Sequence, residues 1–143
     1  MSESSNIRQV VCLVFCEDEK LLLEQRLDGD AFHKNWMFTG GKVEALDRSS
    51  GNPIHNASVR EAEEETGLKP MASNVFTSFV QELRDGRTFE FIGVNILKWD
   101  GKLKNQEVGR RNLAWIGISE ARAIIGEHEV DRRILEDFLI VRS

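Results

Sequence analysis

The sequence predicts a single mixed α/β sandwich, and three observations carry that expectation. The chain has 143 residues, enough for one domain with a real core. Short apolar, β-branched runs alternate with turn signals. The inferred order is strands, then an acidic helix, then strands, then helix again, which suits a sheet covered by helices.

In chain order, Val10 to Phe15 is a buried-type strand on which Cys12, Val14 and Cys16 share one face, so both thiols are expected to be buried and reduced. Glu17-Asp18-Glu19 is a turn, and Lys20 to Arg26 (KLLLEQR) returns as the second strand. Leu27 to Asn35 is a loop. Trp36 to Val43 (WMFTGGKV) is an aromatic strand ending in a glycine pair, and Ala45 to Pro53 is dense in turn formers. A helix runs from Ile54 to Thr66 with Gly67 as its stop. Val75 to Leu83 and Arg87 to Lys98 form a hairpin about Asp85-Gly86. Leu113 to Ile116 is a short strand. Ile118 to Ile125 and Glu129 to Val141 are helices, the second with Val130, Ile134, Leu135 and Phe138 along one stripe.

The net charge of -5 speaks against general binding to nucleic-acid backbones, while leaving nucleotides open, because a metal ion mediates between carboxylates and phosphates. No apolar run is long enough to span a membrane. Met1 to Asn6 lacks the pattern of a secretion signal, so a cytoplasmic protein is expected. The spacing of Cys12 and Cys16 fits neither a redox pair nor a zinc ribbon.

The chemistry concentrates in Arg60-Glu61-Ala62-Glu63-Glu64-Glu65-Thr66-Gly67-Leu68. With about 100° per residue, Glu65 falls about 40° to one side of Glu61 and Glu64 about 60° to the other. Three carboxylates thus share a narrow face, Val59, Ala62 and Thr66 pack on the sheet, and Glu63 is solvated. Like charges at this spacing repel, and a hard divalent cation offsets the repulsion while bridging to substrate phosphates. An acidic helix face alone is usually only a solvated face. Upstream, Gly40-Gly41 lets main chain approach a ligand or metal closely. Arg60 is placed to tether Glu64 or to hold a phosphate.

Together these two segments resemble the Nudix box, whose pattern is G, five residues, E, seven residues, then R-E-U-x-E-E-x-G-U with U apolar. Arg60 to Leu68 fits its second half throughout, with Ala62 as a small apolar residue, and Gly40-Gly41-Lys42-Val43-Glu44 resembles its start. One departure stands out. Asp47 occupies the place of the first box glutamate, with Glu44 as the alternative, and the stretch between Asp47 and Arg60 is about five residues longer than the pattern, within Arg48 to Asn56.

The resemblance implies an α/β/α sandwich with a mixed β-sheet, in which the box forms a loop-helix-loop over one Nudix domain spanning residues 1–143. It implies Mg²⁺ or Mn²⁺ held by Glu61, Glu64, Glu65 and the Gly40 carbonyl, with Arg60 orienting the group. Trp99-Asp100-Gly101, Glu107 and Ala114-Trp115 are similar to a segment of the MutT-type nucleoside triphosphate pyrophosphohydrolases, which marks Glu107 as a further metal ligand or general base. The catalytic candidates are therefore Glu64, Glu107 and Arg60. By the same comparison Phe38, Gly41, Arg26 and His128 are the substrate-binding candidates.

The proline of ADP-ribose-type members and the tyrosine of diadenosine-polyphosphate members are missing, since the only prolines are Pro53 and Pro70 and there is no tyrosine. The expected activity is Mg²⁺-dependent cleavage of a nucleoside triphosphate to monophosphate and pyrophosphate. The alternatives are a Nudix hydrolase of a nucleotide sugar or dinucleoside diphosphate, a non-catalytic Nudix-fold nucleotide-binding module, and an acidic α/β domain unrelated to nucleotides. The expected partner is a small-molecule nucleotide, with no nucleic acid and no membrane, and with room for a homodimer.

Overall fold

A computed structural model describes residues 7–27, 36–83, 85–106, 108–126 and 128–142. Six strands form one mixed sheet: β1 (Arg8–Glu17), β2 (Lys20–Arg26), β3 (Trp36–Lys42), β4 (Lys69–Glu82), β5 (Thr88–Asp100) and β6 (Arg111–Gly117). Their spatial order is β4-β5-β1-β3-β2-β6. β1 runs parallel to β5 and antiparallel to β3, which makes the sheet mixed. Three helices cover it: α1 (Pro53–Thr66), α2 (Ile118–Ile125) and α3 (Glu129–Arg142).

Strand alternation separates two cores. Cys12, Val14, Leu21, Leu23 and Phe38 face α2 and α3, meeting Ile125, Ile134, Leu135 and Phe138. Val11, Leu13, Phe15 and Leu22 face α1, meeting Ala57, Ala62 and Leu68. The expected α/β/α sandwich is therefore present. None of the described helices is long and apolar enough to cross a membrane.

Several boundaries follow from local chemistry. Asp18 and Glu19 take left-handed φ values of 50° and 59°, so a two-residue turn joins β1 to β2. α1 starts one residue earlier than expected because Asn52 caps it, its side chain accepting from the His55 N–H at 3.3 Å, and Pro53 suits the first helical position. Gly67 ends it at φ 77°, its N–H donating to the Glu63 carbonyl.

Three expectations need correction. β4 begins at Lys69, upstream of Val75, and includes Pro70. It is an edge strand, where a proline without an N–H costs no ladder bond on the open side. Cys12 is buried but Cys16 is only partly so, since it lies at the end of β1 beside the turn. Val59 is half-buried, and Ser58 and Glu65 join Ala62 and Thr66 on the buried side of α1. The buried arc is thus centred nearer Glu65 than periodicity alone suggested, because a polar partner waits for that carboxylate in the sheet.

The segment between Glu44 and Pro53 is a built structure. A short 3₁₀ helix, Ala45–Ser49, starts with a reciprocal cap in which Asp47 accepts from the Glu44 N–H at 2.8 Å. The Asn56 side chain closes the loop by donating to the Asp47 carbonyl at 3.1 Å and to Ser50 Oγ at 2.9 Å.

Candidate active site

The site begins where β3 changes partners. Trp36 to Phe38 pair with β2, whereas Thr39 to Lys42 pair with β1. At this handover two main-chain N–H groups donate to carboxylates: Phe38 to Asp131 Oδ1 at 3.0 Å, and Gly40 to Glu65 Oε2 at 3.2 Å. The strand thereby recruits one acidic residue from α3 and one from α1.

Gly40 is required by space, and Gly41 lets a side chain come close. A Cβ on Gly40 would lie 1.9 Å from the Val11 carbonyl oxygen, and one on Gly41 would lie 2.4 Å from the Glu61 carboxylate. Glu61 therefore rests directly against the β3 main chain, an approach open to glycine alone.

The three expected carboxylates lie on neighbouring turns of α1, and their environments grade from buried to open. The side chain of Glu65 is 6% exposed, that of Glu61 13% and that of Glu64 60%. Burial pushes Glu65 up to about 8, with the nearby Glu24 charge adding and Arg111 opposing. Burial also raises Glu61, against the lowering effect of Arg60.

Arg60 is the hub of the exposed side. It donates to Asp47 Oδ1 at 3.1 Å and Oδ2 at 2.8 Å, to Glu61 Oε1 at 2.9 Å and to the Lys42 carbonyl at 2.9 Å. Glu64 Oε2 lies 3.7 Å away and Glu44 4.0 Å away. Asp47 thus pairs with Arg60 far more closely than Glu44 does, and it reaches the arginine from the 3₁₀ helix, ahead of the longer stretch. The Arg60 hydrogen bonds hold the Asp47 carboxyl below its usual range, ahead of the opposing effect of burial. With four of its five N–H donors spent on protein, Arg60 fixes Glu61 and the β3 end.

The buried side has its own arginine. Arg111 Nη1 donates to both Glu24 Oε2 and Glu65 Oε1. Glu24, 1% exposed, is pushed up to about 7 by burial, with Arg111 opposing.

A cavity of about 430 Å³ adjoins these groups. Gly40 and Gly41 line it and also touch Glu65 and Glu61, so they form a shared wall between the cavity and the carboxylates. Phe38, Phe89 and Phe91 supply aromatic lining, and Arg26, Lys42 and Arg87 supply positive charge. Lys42 Nζ and Arg87 Cζ stand 5.7 and 5.3 Å from the Phe89 ring centre. His128 Nδ1 meets Asp131 Oδ2 at 2.5 Å, a hydrogen bond that raises the imidazole pKa against the effect of burial. Thr39 also borders the cavity, and its hydroxyl is fully buried and without a hydrogen-bond partner among the described residues. Cys12 lines it too, but burial, with Asp131 adding, pushes its thiol well up and makes it a poor nucleophile.

The structure therefore gathers Gly40, Gly41, Arg60, Glu61, Glu64 and Glu65 around one helix. It places Arg26, Phe38 and His128 on the adjoining cavity. The Phe38 ring serves the core as well as the cavity. Glu107 lies outside the described residues. Sequence reading missed Glu24, Arg111 and Asp131. Only Asp131, three residues after His128 at a helix start, carried a local signal.

The donors suit a hard divalent cation. Carboxylate oxygens are the ligands such ions take, and Gly41, having no Cβ, lets the Glu61 carboxylate lie against the strand that carries the Gly40 carbonyl. Among the described residues no three acidic or imidazole groups already form a ligand cage, because Glu65 is turned onto Arg111 and Glu64 faces outward.

A profile of the NUDIX domain matches residues 6–138. No curated protein matches the chain. Among solved structures, the chain is similar to the ORF135 protein of E. coli, with 27% identity and a TM-score of 0.79 over 100% of this chain and 96% of that one. It is similar to the MutT NUDIX hydrolase of Burkholderia pseudomallei, with 20% identity and a TM-score of 0.75 over 91% and 96%. It also shares its fold with the NUDIX domain of Shewanella oneidensis NrtR, solved with ADP ribose, at 14% identity and a TM-score of 0.68 over 97% and 99%. With the profile spanning nearly the whole chain and the box residues gathered against the glycine pair, this protein belongs to the Nudix family.

Proposed function

We propose that this protein is a divalent-metal-dependent pyrophosphohydrolase that converts a nucleoside triphosphate to its monophosphate and pyrophosphate. The observation that carries the reading is the shared wall: Gly40 and Gly41 separate an aromatic, cation-lined cavity from three clustered carboxylates. A cavity of this size accommodates a nucleotide. Aromatic lining and the Asp131–His128 pair suit a base, and Arg26, Lys42 and Arg87 suit anionic phosphates.

Glu61, Glu64, Glu65 and the Gly40 carbonyl are the groups that would hold Mg²⁺ or Mn²⁺. A bound divalent ion neutralises phosphate charge and lowers the pKa of water. The protein's own residues divide the remaining work. Glu65 spends one oxygen on the Gly40 N–H and the other on Arg111, so it does not accept the proton. Glu61 spends one oxygen on Arg60. Glu64 keeps the most open carboxylate, and in this scheme it takes the proton from the attacking water. Arg60 and Asp47 hold the helix against the end of β3 so that these groups keep their spacing.

The test is a substrate panel with Mg²⁺ and with Mn²⁺, comprising nucleoside triphosphates, nucleotide sugars, ADP-ribose and dinucleoside polyphosphates. Chelator-sensitive pyrophosphate release from a triphosphate is the expected result. Turnover restricted to sugars or dinucleotides would overturn the substrate assignment. Tight binding of any of them without turnover would overturn the catalytic one.

A further inference from the structure

Pairing register places Glu24 of β2 opposite Met37 and Leu113, and Arg111 of β6 opposite Arg26. Alternation then puts Glu24, Thr39 and Arg111 on the side of the sheet that α1 covers, with Leu22 and Leu113. Glu65 reaches the same place from α1. One guanidinium nitrogen serves two carboxylates there, with side-chain exposures of 11% for Arg111, 1% for Glu24 and 6% for Glu65. With both carboxylates ionised the trio would carry a net charge of one minus in a nearly dry setting, where charges act on one another strongly.

This arrangement has a cost for the proposed chemistry. Arg111 sits on Glu65 Oε1, and Gly40 holds Oε2, so both oxygens of that carboxylate are engaged before any ion arrives. Glu24 lies outside the box motif and touches none of its other carboxylates among the contacts described. Its partner is Arg111. A guanidinium has five donors and can lean toward one acceptor without losing all its hydrogen bonds.

We propose that Arg111 is a tethered counter-cation that competes with the divalent ion for Glu65, and that Glu24 is the acceptor that retains Arg111 when the ion takes Glu65. Arg111 and Glu24 are positioning residues in this scheme, and Glu24 sets metal affinity through the arginine. The inference rests on the reading of Glu61, Glu64 and Glu65 as the ion-holding set.

The experiment is Mn²⁺ binding without nucleotide, followed by the electron paramagnetic resonance signal of free Mn²⁺, on the full chain. Arg111→Met is expected to bind Mn²⁺ about fivefold or more tightly than wild type, because the competitor is gone. Glu24→Gln is expected to bind about fivefold or more weakly, because Arg111 then rests on Glu65 alone. In the Arg111→Met background, adding Glu24→Gln should change affinity by less than about twofold, since Glu24 acts through the arginine. Equal or weaker binding by Arg111→Met would overturn the proposal, as would an undiminished effect of Glu24→Gln in the double variant. Should Arg111→Met fail to fold, unchanged affinity in Glu24→Gln alone overturns it. Wild-type binding that is lost in Glu64→Gln keeps the ion-holding set whatever the arginine variants do. No Mn²⁺ binding by wild type or Arg111→Met would overturn that set and this proposal together.

Discussion

The acidic helix carries one arginine, Arg60, and meets a second, Arg111, from β6, and Asp47 on the first shifts in the opposite direction to Glu24 and Glu65 on the second. Arg60 meets Asp47 through two hydrogen bonds, and the Asp47 carboxyl is held below its usual range. Arg111 meets Glu24 and Glu65 through one shared nitrogen, and both carboxyls stand far above theirs, at about 7 and about 8. The difference lies in stoichiometry, since the side chain of Asp47 is 4% exposed and that of Glu65 6%. A bidentate pair with one carboxylate outweighs its burial, whereas one guanidinium nitrogen divided between two buried carboxylates does not. The first cluster is a brace. The second is held in tension, and such sites are where function concentrates.

The largest expected effect tests the open end of the carboxylate gradient. Glu64→Gln should reduce turnover by about a thousandfold, as loss of a general base does. Its thermal melting should be unchanged, because the side chain is 60% exposed and its nearest cation is 3.7 Å away. A wild-type rate at saturating metal would remove Glu64 from the chemistry.

Next comes the wall between the clusters. Gly40→Ala would drive a methyl group to 1.9 Å from the Val11 carbonyl oxygen, and the strand pair must shift. A loss of about 3 kcal/mol in chemical denaturation is expected. A loss of a few tenths would mean that the β1–β3 contact is looser than described.

The brace gives a smaller, pH-dependent effect. Asp47→Asn should destabilise the fold by about 2 kcal/mol at neutral pH, the scale of hydrogen bonds to a charged group. Because the folded pKa is depressed, this stability is present above the ordinary carboxyl value and is lost as pH falls through the depressed one. Denaturation of wild type and variant should therefore begin to converge below about pH 4 and meet below the depressed value. A gap that persists in acid would assign the effect to the loop's shape instead of its charge.

Glu63→Gln should have the smallest effect. Glu63 lies on the same helix but is exposed and belongs to neither cluster. Unchanged turnover and melting would show that position on the helix, rather than acidity, separates these glutamates.

The same contrast explains what was legible in the sequence. The acidic helix face is local and repetitive: Arg60, Glu61, Glu64 and Glu65 fall within two turns, so helical period places them. β2 and α2 were read to the residue, because each is bounded by turn or glycine signals. The buried cluster joins residues 24, 65 and 111, whose separation in sequence hides their meeting. Glu24 opens the polar end of KLLLEQR, and Arg111 precedes the short strand expected from Leu113. The Asp131 bond to Phe38 spans 93 positions and exists only because β3 changes partners there. The role of Asp47 was half visible, since its place in the motif was clear but the longer loop left Glu44 as a rival. Arg60 sits 2.8 Å from Asp47 and 4.0 Å from Glu44, a contrast that only the folded chain displays.

The most direct test of the central claim is product identity by ³¹P nuclear magnetic resonance, with a nucleoside triphosphate and excess Mg²⁺. The account predicts monophosphate and pyrophosphate in equal amounts, abolished by chelator and in Glu64→Gln. Diphosphate with inorganic phosphate, or an unchanged triphosphate that the protein nonetheless binds, would contradict it.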